Sequence, residues 1–277
     1  MLGEPPPGPL RVAAVQAAAV PGDLAANVAT AVRLTESAAG DGAALVVFPE
    51  LFLPAYHPPT LAACPADCDV SADPAGRVGD ARLAPLKAAA GDLGVTVLIG
   101  ASVRHADQRR VISLLLVTGR GAAVAYDKQH LWGAQEQQLF CPGRQGAVVG
   151  CSGWRLGLGI CYDMSFPEHA RSAALAGAHA YVCPSVFLVG RDHRRDVYLP
   201  ARALENTMYA VFTNGVGGSG AWRFSGRAAV YDPQGRALCR APATGEAAVC
   251  ADLDPDELAA TRAQLPMLAD CVRAAAG

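Results

Sequence analysis

The chain has little charge and few aromatic residues for its length. Of its 277 residues, 17% are charged and 6% are aromatic, whereas 52% are hydrophobic. The formal net charge of -2 and the pI near 6.3 supply no broad positive field. This balance argues against nucleic acid or an anionic membrane as the main partner, so we expect a small molecule.

The sequence also lacks a hydrophobic run that could cross a membrane. No segment reaches the roughly 18 to 20 uninterrupted apolar residues that a span needs. The start, MLGEPPPGPL, has no basic region followed by an apolar one, as a secretory signal would. We therefore expect a soluble protein in which residues 1–9 form a flexible extension and residues 10–277 form one domain.

The cysteines form no disulfide framework or metal-binding pattern. Their number is nine, which is odd, and they are scattered through a chain too large to depend on disulfide bonds. A reducing, cytoplasmic environment follows. Cys64 and Cys68 could form half of a metal site, but no second Cys or His pair stands at matching spacing, so we expect no metal.

Apolar strand patterns alternate with helical ones along the chain. Residues 43–48 are wholly apolar between Gly42 and Pro49, which is typical of a strand covered on both faces. Two mixed sheets with helices outside them, a four-layer α/β/β/α sandwich, would bury these strands, and one doubly wound sheet would do so as well. Strands are predicted over residues 11–16, 43–48, 95–100, 111–118, 122–126, 154–160, 180–183, 209–216, 228–231 and 247–252, and helices over 27–39, 82–93, 167–176 and 197–206.

Three reactive side chains stand directly after predicted strands. These are Glu50, Lys128 and Cys161. Proteins with α/β architecture place their chemistry at strand ends. Taken singly, however, a Glu or Lys beyond a strand is usually solvated, and a lone Cys is usually an inert small hydrophobe.

The surroundings of Cys161 favour a nucleophile. The residue lies on a strand-to-helix turn, where backbone N–H groups, that of Tyr162 in particular, could lower the thiol pKa and hold an oxyanion. A thiol nucleophile also needs a base. His130 is the one histidine kept as a candidate base, although an extended chain would point it away from the face of Lys128.

Several short motifs occur in a fixed order between residue 11 and about residue 253. They are RVAAVQ at 11–16, Phe-Pro-Glu at 48–50, YDKQHL at 126–131, Glu136 with its downstream Phe-x-Pro-Gly at 140–143, residues 160–168, and residues 202–206 with Asn214. In this order they resemble the nitrilase superfamily of carbon–nitrogen hydrolases. Asp127 and residues 53–56 depart from the usual pattern of that family.

The resemblance implies a fold and a mechanism. The fold is the α/β/β/α sandwich, assembled as a homodimer or a higher homo-oligomer, with neither metal nor organic cofactor. Glu50 would be the general base, and Lys128 with the Tyr162 N–H would stabilise the oxyanion. Glu136 would orient Lys128 or the substrate amide, and Cys161 would carry the acyl group as a thioester.

The residues after Cys161 bear on the substrate. Within the family, Cys-Trp-Glu is common in nitrile-cleaving members and Cys-Asn-Asp in carbamoyl-cleaving ones, whereas this chain has Cys-Tyr-Asp. That favours an amidase for a small aliphatic primary amide, and residues 130–136 and 199–206 look most like the 5-aminopentanamidase type. A nitrilase or an N-carbamoyl amide hydrolase with the same catalytic residues remains an alternative, as does a non-catalytic member, although all four catalytic positions hold competent residues.

Candidate pocket walls follow from the need for an apolar site with a few polar anchors. Plain core packing is the competing interpretation for these side chains. The charge run at residues 191–196 is typical of a solvated face, or it could select a charged end of the substrate. The candidate walls are Tyr56, Trp132, Ser185, Val186 and Phe187.

Overall fold

The computed structural model describes residues 5–275, with side chains to residue 271. Residues 1–4 and 276–277 lie outside the described part, so the flexibility expected for residues 1–9 stays a prediction. Just before the first strand, the Gly8 carbonyl accepts a hydrogen bond from the Trp154 indole N–H at 2.8 Å. Within residues 5–275, no helix combines the length and the apolar character needed to cross a membrane.

Strands supply most of the ordered elements. The first eight are β1 (Leu10–Ala17), β2 (Leu45–Val47), β3 (Asp69–Ser71), β4 (Arg77–Val78), β5 (Thr96–Arg104), β6 (Arg110–Thr118), β7 (Gly121–Asp127) and β8 (Ala147–Cys151). The others are β9 (Trp154–Leu158), β10 (Ala180–Ser185), β11 (Tyr209–Gly217), β12 (Phe224–Ser225), β13 (Ala229–Tyr231), β14 (Ala237–Arg240) and β15 (Ala247–Leu253).

Helices lie between many of the strands. They are α1 (Leu24–Gly40), α2 (Pro58–Ala63), α3 (Pro65–Cys68), α4 (Ala84–Asp92), α5 (Gly133–Leu139), α6 (Pro167–Leu175), α7 (Asp192–Asn206), α8 (Pro255–Gln264) and α9 (Met267–Ala275). Local chemistry sets several starts: the Asp23 side chain caps α1 by accepting from Ala26 N–H, and Asp254 caps α8 ahead of a proline at its first turn.

The strands form one curled sheet with two halves. Its order is β4-β7-β6-β5-β2-β1-β11-β10-β9-β8, and β15 pairs with β1 while β12 and β13 pair with β11. The halves meet at a short parallel pairing in which Gln16 faces Asn214 and Ala17 faces Gly215. Such limited pairing lets the sheet fold back on itself.

Side-chain alternation along the strands divides the core into three layers. Leu45 and Val47 pack in an inner core together with Trp154 and Val182 from the other half of the sheet. Val46 points the other way, into an outer core shared with α1 and α4. A second outer core packs the other half of the sheet against α6 and α7. The predicted α/β/β/α sandwich is therefore confirmed, and the doubly wound alternative is wrong.

Some element boundaries differ from the sequence predictions. The apolar run at residues 43–48 pairs as a strand only over Leu45–Val47, although Phe48 N–H still donates to Leu98 O at 2.7 Å. Helix α7 starts at Asp192, inside the charge run, rather than at residue 197. Strand β8 and helices α2, α5 and α8 were not predicted, because their sequences are short or lack clear apolar periodicity.

Gly100 in β5 allows the loop after β2 to lie close to the sheet. Its N–H donates to Pro49 O at 3.2 Å, and its carbonyl accepts from Leu53 N–H at 3.0 Å. A Cβ atom at this position would meet Leu51 N and Pro49 O at 2.3 Å. Because these neighbours are backbone atoms on both sides of Glu50, the position tolerates no side chain.

We predict that Gly100→Ala lowers the free energy of unfolding by about 3 kcal/mol, as overpacking against a fixed backbone does. Gly150→Ala in β8 is the matched control, because a Cβ there has no heavy atom within 4 Å. Chemical denaturation of both variants measures the difference. Equal stability of Gly100→Ala and the parent chain would contradict the close approach.

Candidate active site

A buried lysine lies between two buried carboxylates. Lys128 Nζ donates to Glu50 Oε1 at 2.6 Å and to Glu136 Oε2 and Oε1 at 2.7 and 2.9 Å. The side chain of Lys128 is completely buried, as is that of Glu50, and that of Glu136 is 3% exposed. Three of the four residues that we predicted to be catalytic are therefore in direct contact.

Each of these side chains is placed by the end of a regular element. Glu50 follows β2, and Lys128 follows β7, where its N–H donates to Ile112 O at 2.8 Å. Glu136 lies in the first turn of α5 and accepts from the Trp132 N–H at 2.8 Å. The Tyr56 hydroxyl donates to Oε1 of Glu136 at 2.9 Å. Each oxygen of Glu136 therefore accepts two hydrogen bonds, one of them from Lys128.

The charges change the protonation of the buried groups. Burial raises the pKa of Glu50 to about 7, against the lowering effect of Lys128. Burial on its own would lower the pKa of Lys128, but Glu136 and Glu50 raise it well above its ordinary value. Lys128 is thus protonated at neutral pH. Glu50 Oε2 is the one oxygen of the two carboxylates that has no hydrogen-bond partner among the described residues.

Cys161 occupies a turn between β9 and α6. It is the first residue of a 3-10 helix over Cys161–Ser165, and its φ of 46° is in the left-handed region, which is uncommon for a residue with a side chain. Its thiol lies close enough to Glu50, Lys128 and Glu136 for their charges to shift its pKa. The turn therefore brings the fourth proposed residue to the other three.

The thiol is not activated in the way that the sequence suggested. Burial and the neighbouring Glu50 carboxylate raise the pKa of Cys161 well above its ordinary value. Lys128 and the Val186 N–H act in the opposite direction and offset only part of this effect. The expectation that the turn lowers the thiol pKa is wrong, because it left out burial and the adjacent carboxylates.

Asp163, two residues after the cysteine, anchors the turn. Its Oδ2 accepts from Ile160 N–H at 2.9 Å and from the Tyr126 hydroxyl at 2.7 Å. Its Oδ1 accepts from His130 N–H at 2.9 Å and lies 2.8 Å from His130 Nδ1. Despite burial, hydrogen bonding to His130 and the charge of His169 lower the pKa of Asp163. Sequence reasoning missed this role, although Asp commonly binds backbone N–H groups in turns.

The side chains around Asp163 form a hydrogen-bonded network. His130, Asp163 and His169 offer ligand atoms that lie within 4.8 Å of one another, as a metal site would. However, the Tyr126 hydroxyl lies 2.8 Å from His169 Nε2, and both Asp163 oxygens already accept two bonds each. The His130 ring also stacks on the Phe166 ring, with the two ring centroids 3.9 Å apart. This network fits a support for the cysteine turn better than it fits a set of free ligands.

A cavity of about 300 Å³ opens onto Cys161 and Glu136. Four of the five predicted wall residues line it. Ser185 does not, since it is completely buried in β10 and its hydroxyl bonds to Cys183 O at 3.3 Å. The lining residues are Tyr56, Trp132, Glu136, Cys161, Tyr162, Ser165, Phe166, Val186, Phe187, Leu188, Arg191, Arg194 and Tyr198.

The charge run at residues 191–196 is not simply a solvated face. Arg195 is completely buried and bonds to Asp196 Oδ1 at 3.0 Å and to Ser225 Oγ at 3.2 Å. Arg191 and Arg194 are exposed to solvent and also line the cavity. One residue of the run therefore bonds to β12, and two others line the cavity of the candidate site.

Known proteins resemble this chain over nearly its full length. The protein described as "Hydrolase in pqqF 5'region" of Pseudomonas protegens is 32% identical, covering 94% of this chain and 88% of that protein. An (R)-stereoselective amidase of a Pseudomonas species is 33% identical, covering 94% of this chain and 91% of that protein.

A solved structure shares the whole fold. The amidase of Nesterenkonia sp. AN1, in a mutant with the acetamide moiety of fluoroacetamide added covalently at its active site cysteine, superposes with a TM-score of 0.79. It is 29% identical and covers 95% of this chain and 98% of that one. The model of the carbon–nitrogen hydrolase family matches residues 11–263. With its fold and its relatives in agreement, the chain belongs to the carbon–nitrogen hydrolases of the nitrilase superfamily and is a hydrolase that acts on carbon–nitrogen bonds.

Proposed function

We propose that this hydrolase converts a small aliphatic primary amide to a carboxylic acid and ammonia through a thioester on Cys161. The observation that carries the proposal is the position of Cys161, which lines a cavity of about 300 Å³ and lies close to the buried Glu50, Lys128 and Glu136. Such a cavity suits a small substrate with an apolar chain.

The first step is attack by the thiol. Because the pKa of Cys161 is raised, the resting thiol holds its proton, and attack requires a base. Glu50 has a pKa of about 7 and a free Oε2 lone pair, so it can accept the proton as the sulfur bonds to the amide carbon. Attack produces a tetrahedral intermediate with a negative oxygen.

Two donors favour that negative oxygen. The first hydrogen bond of the 3-10 helix is donated by Asp163 N–H to Ile160 O, so the Tyr162 N–H has no acceptor within the helix. Lys128, whose pKa is raised, contributes a positive charge. Its ammonium group donates to both oxygens of Glu136, so one of these N–H groups can turn towards the substrate oxygen. Loss of one such donor typically lowers the rate about a hundredfold to a thousandfold.

Breakdown of the intermediate and hydrolysis complete the cycle. The carbon–nitrogen bond breaks, and protonated Glu50 gives its proton to the departing nitrogen, which leaves as ammonia. Glu50 then removes a proton from water as the water oxygen attacks the thioester carbon. The carbon–sulfur bond breaks, the thiol regains a proton, and the acid departs, so that one amide and one water yield one acid and one ammonia.

Glu136 completes the site as a positioning group for Lys128. It accepts from Lys128, Tyr56 and Trp132, and these bonds fix its carboxylate on the cavity wall. Because it lines the cavity, it is also within reach of the N–H groups of a bound amide.

The substrate class is tested by ammonia release from primary aliphatic amides, the matching nitriles and N-carbamoyl amino acids. We expect ammonia from the amides and none from the other two series. Turnover confined to nitriles, or ammonia accompanied by carbon dioxide from carbamoyl compounds, would move the enzyme to another branch of the family. No ammonia from any of the three series would contradict the proposed amidase activity.

The identity of the base is tested by Glu50→Gln and His130→Asn. Glu50→Gln keeps the size and a hydrogen bond to Lys128 but removes the base, so kcat/KM should fall by about a hundredfold to ten-thousandfold. His130→Asn keeps a donor near Asp163 and should retain activity within about tenfold of the parent. Steady-state kinetics on the best amide measures both, and thermal unfolding confirms that each variant folds.

The reverse result, with Glu50→Gln active and His130→Asn inactive, would assign the base to His130. That outcome would contradict the mechanism while leaving Cys161 as the nucleophile.

A further inference from the structure

Two arginines lie on the wall of the active-site cavity. Arg191 immediately precedes α7 and Arg194 lies in its first turn. Among the described residues that line the cavity, Glu136 is the one carboxylate, and both its oxygens accept hydrogen bonds from Lys128. The wall near α7 therefore carries two positive charges that the catalytic carboxylates do not neutralise.

The acidic residues closest to these arginines in the sequence form ion pairs with other arginines. Asp192 and Asp196 both pair with the buried Arg195, at 4.0 and 3.0 Å, and Asp196 also lies 3.7 Å from Arg240. No ion pair within the described part of the chain includes Arg191 or Arg194. Their guanidinium groups are thus available to a ligand.

One of the two groups is already oriented towards the cavity. The Arg191 guanidinium lies over the Trp132 ring, 5.6 Å from its centroid, and Trp132 is itself a cavity wall. Stacking on an aromatic face restrains a guanidinium without using its N–H donors. The positive end of the α7 dipole adds to the same field.

We propose that Arg191 and Arg194 form a carboxylate-binding subsite, so that the preferred substrate is a primary amide with a carboxylate at its far end. This inference rests on the proposed amidase function and narrows its substrate class. Guanidinium groups match the two oxygens of a carboxylate, whereas an ammonium end would meet like charge. The subsite therefore disfavours 5-aminopentanamide, the substrate type that the family resemblance suggested.

The test compares three amides of matched length: glutaramate, pentanamide and 5-aminopentanamide. We expect kcat/KM to be about tenfold or more higher for glutaramate than for pentanamide, and lowest for 5-aminopentanamide. The advantage of glutaramate should shrink as salt is added, because these arginines are reached by solvent. The four-carbon and six-carbon homologues, measured alongside, correct for a mismatch in chain length.

Substitution of the two arginines tests whether they cause the preference for glutaramate. Arg191→Gln with Arg194→Gln should lower kcat/KM for glutaramate about tenfold to a hundredfold, mainly through KM, and should lower kcat/KM for pentanamide by a much smaller factor. Arg120→Gln is the matched control, because Arg120 is an exposed arginine in the turn between β6 and β7, away from the cavity. It should change neither substrate.

A second measurement does not depend on turnover. Calorimetric titration of glutaramate and pentanamide into Cys161→Ala protein reports binding alone, with and without the two arginine substitutions. Tighter binding of glutaramate that the substitutions remove supports the subsite, even if no amide is hydrolysed.

The outcomes separate the two proposals. Equal binding and equal kcat/KM for glutaramate and pentanamide, a preference for 5-aminopentanamide, or a glutaramate preference that survives both substitutions would overturn the subsite. Absence of ammonia from every amide, together with arginine-dependent binding of glutaramate, would instead overturn the amidase function and leave the subsite in place.

Discussion

The Lys128 ammonium group, held between Glu50 and Glu136 out of contact with water, is the interaction on which the site depends. A buried charge is tolerated only with well-placed opposite charges, so each member of this trio fixes the position of the other two. Lys128 is one of only two lysines in a chain whose other basic side chains are arginines. A point charge on a flexible stem can contact two carboxylates and still turn towards a third oxygen, which a planar guanidinium cannot do as readily.

The sandwich brings these groups together from distant parts of the sequence. Glu50 follows β2 and Lys128 follows β7 in one half of the sheet, while Cys161 follows β9 in the other half. The cavity therefore opens where the two halves meet. Support comes from backbone constraints: Gly100 admits the Glu50 loop against β5, and Asp163 holds the left-handed turn at Cys161 through Ile160 N–H. Loops and turns that hydrogen bonds and close packing hold against the sheet thus set the distances between reactive atoms.

Residue pattern predicted an α/β fold and the positions of Glu50, Lys128 and Cys161 after strands, because apolar strands followed by polar residues are a local signal. The choice of the four-layer sandwich over one doubly wound sheet, and the role of Glu136, came from the family resemblance. Residue pattern gave wrong predictions for properties that depend on contacts between distant parts of the chain. The raised pKa of Cys161 arises from burial and from Glu50, more than 100 residues away in the chain. Both faces of β10 are buried, and Ser185 alternates with Tyr181 and Cys183 on the face that packs in the outer core, whereas Val186, one residue later, lines the cavity. A one-residue change in register would exchange the two. The charge run was ambiguous because its role depends on where α7 begins.

Intact mass measurement after rapid quenching with a slowly hydrolysed amide shows whether Cys161 carries the acyl group. We expect a mass increase equal to the acyl group, located by peptide mapping to Cys161 and to none of the other eight cysteines. Cys161→Ala should show no adduct and no turnover while melting close to the parent protein, since alanine fills most of the thiol volume. Turnover by Cys161→Ala, or an adduct on another cysteine during productive turnover, would rule out Cys161 as the nucleophile.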